Sequence, residues 1–294
     1  MASDKEPSAP SGHDVRRSAG WDIATAPKNY AVLLGSHFAT ALLSFTTVWV
    51  INKRAGAGAY GGLIAFIAVS QLIQVFLNWS LASLTRFGIE EFVETGHVTR
   101  SFWSRTLIFV PNLAVALALS PLWLGPLASA FKIPEEVSWL ILVHIVATAA
   151  WLHVQYTLQS AKMMRLTGVL LVVERVLVLT LVLGSLYGPG LNATNILWCF
   201  IIPPAVMVVV GLVISAKYIG LAKIVDLPQL RTMVRFSLPL IPFTIISYFA
   251  TSQLDAYFLN NYLTTADLGI YSIATQISGI VVQIPVLANT LLLS

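Results

Sequence analysis

Apolar and polar stretches alternate along this chain with a long period. Runs of about twenty mostly apolar residues, each able to carry a helix across roughly 30 Å of hydrocarbon, recur near 31–51, 60–82, 106–125, 138–159, 167–187, 195–216, 236–258 and 268–291. The pattern predicts an all-α integral membrane protein of about eight transmembrane helices. Ahead of the first run, Met1–Gly20 is rich in Ser, Pro and charge. Residues 1–29 are therefore expected to form a disordered cytoplasmic tail and not a cleaved leader. The fourth and fifth runs are joined only by the basic turn Ala161–Arg165.

Composition agrees. Of the 294 residues 57% are apolar and 10% charged, against roughly 25% charged in soluble domains. A soluble fold of this size has no place to hide that much apolar surface. The net charge of +4 matters through its distribution, and nucleic acid is not implied. With the N-terminus inside, inner segments hold Lys5, Arg16, Arg17, Lys28, Arg86, Arg100, Arg105, Lys162, Arg165, Arg175, Lys217, Lys223, Arg231 and Arg235, and outer segments hold Lys53, Arg54 and Lys132. This 14-to-3 bias is what the positive-inside rule requires, and an error of one helix would scramble it. Trp49, Trp79, Trp103, Trp123 and Trp139 fall near run ends, where an amphipathic ring is favoured; Trp151 is the mid-membrane exception.

Polar residues inside the runs are costly and so informative. In the seventh run Thr244, Tyr248, Thr251 and Asp255 share one helical face at i, i+4, i+7 and i+11. Ser272, Gln276, Gln283 and Thr290 make a stripe in the eighth, and Ser70, Gln74 and Asn78 in the second. Further stripes are His37, Thr40, Ser44 and Thr47 in the first run, and His144, Thr148, Trp151, Gln155 and Gln159 in the fourth. Each residue alone is open to a second reading, as glue between packed helices. Five striped helices together are explained more simply by a water-accessible cleft. Asp255 lies near the outer end of its helix, either in the cleft or in the headgroup region. Glu174 and Arg175 lie roughly 12 Å into the fifth run at 1.5 Å per residue. They are adjacent, so their side chains are expected to diverge by about 100° and not to pair simply. Glu174 then needs a partner on another helix or a proton. Glu174 and Asp255 are the candidates for a coupling ion.

Chemical motifs are missing. No phosphate loop, zinc-protease helix, acyltransferase His/Asp pair or nucleophile elbow is present, and the single Cys199 excludes disulfides within the chain and thiolate metal sites. No cofactor and no metal is expected, nor is an enzyme.

Two stretches resemble the polysaccharide and O-antigen flippases of the multidrug/oligosaccharidyl-lipid/polysaccharide exporter superfamily. The first is Lys53-Arg-Ala-Gly-Ala-Gly-Ala-Tyr-Gly61, followed after the second run by Leu84-Thr-Arg-Phe-Gly-Ile-Glu-Glu-Phe-Val-Glu-Thr-Gly96. The second is Ser237-Leu-Pro-Leu-Ile-Pro242, leading to Asp255 and then Leu268-Gly-Ile-Tyr-Ser-Ile-Ala274. The resemblance implies two six-helix lobes with the first, second, seventh and eighth helices lining a central cleft. Residues 30–220 would then form one lobe, 221–235 a cytoplasmic linker and 236–294 the first two helices of a second lobe, the chain stopping short after the eighth helix. A shift of 208 residues sets Asn52 on Asn260, Gly61 on Gly269 and Ser70 on Ser278, with overall identity close to chance.

The expectation is alternating-access export of a polyprenyl-phosphate-linked oligosaccharide across a bacterial plasma membrane, the lipid tail staying in the bilayer. Glycan polymerase or glycosyltransferases would be its partners. Gln74, Asn78, Tyr248, Thr251, Asp255 and Gln276 suit a sugar; Arg86 suits the phosphate. Two alternatives stand beside it, a drug or cation exporter of the same superfamily and a membrane enzyme of glycan assembly. The first needs carboxylates deep in the first lobe, where only Glu174 qualifies. The second needs a large outer loop, and every outer loop is short.

Overall fold

The computed structural model describes residues 26–220, 226–250 and 252–292. The fold is 89% helical, with no strand among the described residues. The helices are α1 (Ala26–Ala55), α2 (Ala57–Asn78), α3 (Leu81–Thr95), α4 (Thr99–Ala118), α5 (Ser120–Ala130), α6 (Glu135–Ser138), α7 (Leu140–Ser160), α8 (Met164–Tyr187), α9 (Ala193–Ser215), α10 (Leu227–Ser237), α11 (Ile241–Ala250), α12 (Ser252–Tyr262) and α13 (Thr265–Leu292).

Seven stretches among the described residues are long and apolar enough to cross a membrane: Leu34–Ala55, Ala57–Asn78, Thr99–Ala118, Glu135–Ser160, Met164–Tyr187, Ala193–Tyr218 and Leu227–Phe249. The eighth predicted run lies within α13. This is the all-α membrane architecture the hydropathy pattern predicts. Helices dominate because lipid offers backbone groups no partner, and a helix satisfies its own.

Boundaries differ where polar residues sit inside helices. The third span begins at Thr99 and not near 106, so Arg100 and Arg105 lie within α4. Arg105 was counted with the inner segments; it is fully buried. Its Nη2 donates to the Leu77 carbonyl at 2.8 Å, one of the carbonyls that the end of α2 leaves free. A cation there also complements the helix dipole. The second predicted run divides at residues 79–80, and α3 carries the chain onward. The seventh predicted run is interrupted near its start by a short 3-10 turn at Leu238–Leu240, between α10 and α11, where Pro239 and Pro242 remove backbone donors.

Helix α2 is the centre of the packing and touches α1, α7, α12 and α13. Its Ala65, Phe66, Ala68 and Val69 are buried with Leu140, Ile141 and Ile145 of α7 and Ile196, Leu197 and Ile201 of α9. Ala256 of α12 and Leu268 of α13 join the same core. Helix α1 lies along α8, and α10 lies across α4.

Candidate functional site

The residues that approach one another where α3 meets α10 line an open cavity of about 440 Å³. Its walls are Arg86 and Phe87 from α3, with Arg231, Thr232, Arg235 and Phe236 from α10. Local sequence sets both walls. Helix α10 opens on Asp226, whose Oδ1 accepts from the Gln229 N–H at 3.1 Å, and has Pro228 in its first turn, where a missing N–H costs nothing. Arg231 and Arg235 are four residues apart and so lie on one face. Met233 and Ser237 are buried on another.

Electrostatically the cavity is cationic. No carboxylate lines it. The Arg86 Nε lies 3.6 Å from Glu90 Oε1, but both side chains are more than half exposed, and such pairs are worth little. Among the described residues neither Arg231 nor Arg235 has an ion-pair partner. The Arg86 guanidinium stands 4.9 Å from the Phe236 ring and 5.5 Å from the Phe87 ring. The two rings meet edge to face at 5.5 Å.

A buried carboxylate fixes the α3 wall. Glu91 is 5% exposed and accepts the backbone N–H groups of Arg100 and Ser101, both at 2.8 Å. These are free donors of the first turn of α4, so the anion sits at the positive end of that helix.

The structure distributes the other predicted residues among several contacts. Gln74 is buried and donates to Thr148 Oγ1 at 2.7 Å, and that hydroxyl donates to the His144 carbonyl at 2.6 Å. Asn78 Oδ1 accepts from Arg105 Nη2 at 3.4 Å. Tyr248 is buried and donates its hydroxyl to the Ala68 carbonyl of α2 at 3.1 Å. Asp255 accepts from the Tyr271 hydroxyl at 2.7 Å, joining α12 to α13. Gln276 is partly buried, and its Oε1 has no hydrogen-bond partner among the described residues. Thr251, and the side chains of Gln283 and Thr290, lie outside the described residues.

Glu174 finds its partner on another helix: Trp151 Nε1 of α7 donates to its Oε2 at 2.8 Å. The mid-membrane tryptophan and the buried acid thus account for each other. The expected divergence of Glu174 and Arg175 is corrected, since Arg175 Nη2 reaches back to 3.9 Å from Glu174 Oε1. A long, flexible stem spans the offset that the backbone imposes.

Sequence reasoning missed Arg231 and Arg235 as companions of Arg86, although a basic pair at i, i+4 beside Phe236 is visible on the linker helix. It also missed Glu91, which looks like any acid of an exposed helix until α4 is placed against it.

A family model described as polysaccharide biosynthesis protein matches residues 26–292. No curated protein and no solved structure matches.

Proposed function

The chain belongs to the polysaccharide biosynthesis protein family, and on that premise we propose that it moves a lipid-linked oligosaccharide from the inner to the outer leaflet of a bacterial plasma membrane. The mode is alternating access, with no covalent step. The observation that carries this is the cavity at the α3–α10 junction, with three arginines and no acid in its wall. Guanidinium groups bind phosphate bidentately and keep their charge. The two phenylalanine rings offer apolar surface to a sugar face or to the first units of a lipid tail. A cavity of about 440 Å³ is the size of a head group, within the usual range for ligand sites. The charge bias puts this end of the bundle in the cytoplasm, where lipid-linked sugars are built by glycosyltransferases; a polymerase would take the product outside.

In this reading residues 30–220 act as one lobe, joined through α10 to the helices of 236–294. The cation-exporter alternative is weakened by Glu174, which already has Trp151 and Arg175 beside it.

The test is transport of a fluorescent polyprenyl-diphosphate sugar in proteoliposomes. Arg86→Ala should slow it by at least about tenfold, the loss of one charge-assisted contact of roughly 1.4 kcal/mol or more, while Arg86→Lys keeps part of the rate. Arg231→Gln with Arg235→Gln should behave like Arg86→Ala. Wild-type rates in Arg86→Ala at equal membrane abundance would remove the cavity from the mechanism.

A further inference from the structure

At the opposite end of α2 from Arg86, the chain makes a contact that neither the hydropathy nor the cavity explains. Helices α2 and α13 cross at Gly61 and Gly269 with their backbones touching. A methyl group at Gly61 would run into the Thr265 carbonyl and lie 3.1 Å from the Gly269 nitrogen. One at Gly269 would run into the Ala57 carbonyl and lie 3.2 Å from the Gly61 nitrogen. The contact is reciprocal. Thr265 follows Ala57, and Gly269 follows Gly61, by the same 208 residues. Exchange of equivalent positions across a contact is the mark of a two-fold interface, so the crossing lies on a local two-fold relating α2 to α13.

A polar cluster adjoins the crossing. Asn260, at the end of α12, is fully buried. Its side chain donates to the Phe131 carbonyl and accepts from Thr265 Oγ1 at 3.0 Å. Its own carbonyl accepts from Lys132 Nζ, which also places a cation at the negative end of α12. Asn261 Nδ2 donates to the Ala130 carbonyl at 2.9 Å. Lys132 holds φ at +52°, a left-handed conformation that non-glycine residues adopt rarely. Apart from the Thr265 bond, which lies within the corner, these bonds join 130–132, at the end of α5, to the α12–α13 corner.

We propose that the Gly61–Gly269 crossing and the Lys132–Asn260–Asn261 contacts form a latch. It closes this face while the arginine cavity at the other end of the bundle stands open, and it parts when the face opens. The need for parting rests on the transport reading; the closed contact does not. Backbone contact at the crossing leaves no passage between α2 and α13. Small residues permit the approach, and the buried amide bonds select one closed geometry, because separating them orphans buried polar groups.

The experiment uses the full chain with Cys199→Ser and a reporter, Ser272→Cys. Ser272 is buried one turn beyond Gly269. In vesicles exposing the latch face, an impermeant thiol reagent should label this cysteine slowly. Gly269→Val should speed labelling by about tenfold or more, since a few lost contacts shift a two-state equilibrium by that factor. If Gly269→Val does not fold, Asn260→Ala and Lys132→Gly decide; the glycine accepts the positive φ, so the lysine side chain is lost without added backbone strain. Bridging Ala130→Cys to Asn261→Cys, by oxidation or a short bis-thiosulfonate, should restore slow labelling, and reduction should reverse it. Equal labelling rates in all folded variants overturn the latch. So does undiminished movement of lipid-linked sugar by the bridged protein. Labelling that follows the latch while no sugar lipid moves under any condition keeps the latch and removes the transport reading.

Discussion

Replacing Glu91 tests the joint that holds the arginine-bearing helix α3 against α4. The carboxylate accepts two backbone N–H groups, those of Arg100 and Ser101, each at 2.8 Å. Glu91→Ala leaves both donors without a protein partner. Ser101 is fully buried, so its donor costs near the top of the range of about 1–3 kcal/mol for an orphaned buried group, while the partly exposed Arg100 donor costs near the bottom. The contact of Arg100 Nε with Glu91 at 3.7 Å adds less than about 1 kcal/mol, because the arginine is partly exposed. The sum is about 3–5 kcal/mol. Glu91→Gln keeps the shape and one accepting oxygen and should lose about half as much. At about 2–4 °C per kcal/mol for a chain of this size, the alanine variant should melt at least about 6 °C lower and the glutamine variant about 3 °C lower. Both are measured against the parent in one detergent by tryptophan fluorescence. Trp103 is a local reporter, since its Nε1 donates to the Gly220 carbonyl at 2.9 Å on the same face of the bundle. Equal losses in the two variants, or a shift under about 1 °C in Glu91→Ala, would show that the two N–H bonds do not hold the joint.

Two further outcomes are expected. Cysteines at Gly58 and Leu263, both exposed, should react with an impermeant thiol reagent in intact spheroplasts and one at Gly96 should not; the reverse pattern would invert the topology drawn from the charge bias. Thr264 and Asp267 cap α13 reciprocally, and the Thr264 hydroxyl and backbone N–H hold the exposed Asp267 carboxyl below its ordinary range. A lowered value in the folded state means that the cap stabilises at neutral pH and is lost as pH falls through that value. Thr264→Ala should therefore lower the melting temperature at pH 7 and lose that effect in acid, and a pH-independent difference would contradict it.

Period and hydropathy along the chain were enough to announce a membrane bundle of about eight helices and to place most spans within a few residues. Each span is a local property, set by about twenty consecutive side chains that lipid must accept. The third span begins earlier than hydropathy predicts because Arg100 and Arg105 lie inside α4. A cation is tolerated inside a helix when a neighbour supplies free carbonyls, and only the placement of Leu77 beside Arg105 reveals that supply.

The candidate site divided along the same line. Arg86 was legible from its charge and its neighbours in sequence, but its companions Arg231 and Arg235 lie about 150 residues away. The polar stripes put polar positions at helical spacing, yet left the rotation of each helix open. In lipid, a face packed on protein and a face turned to acyl chains are both apolar, so amphipathicity alone does not say what a stripe meets. Tertiary structure decided that Tyr248 meets the Ala68 carbonyl, Gln74 meets Thr148 and Trp151 meets Glu174. It also decided that two glycines 208 residues apart, set side by side by a register at chance identity, lie against each other in space. Backbone contact needs only the absence of a side chain, and absence leaves almost no trace in a pattern of hydrophobic and polar positions.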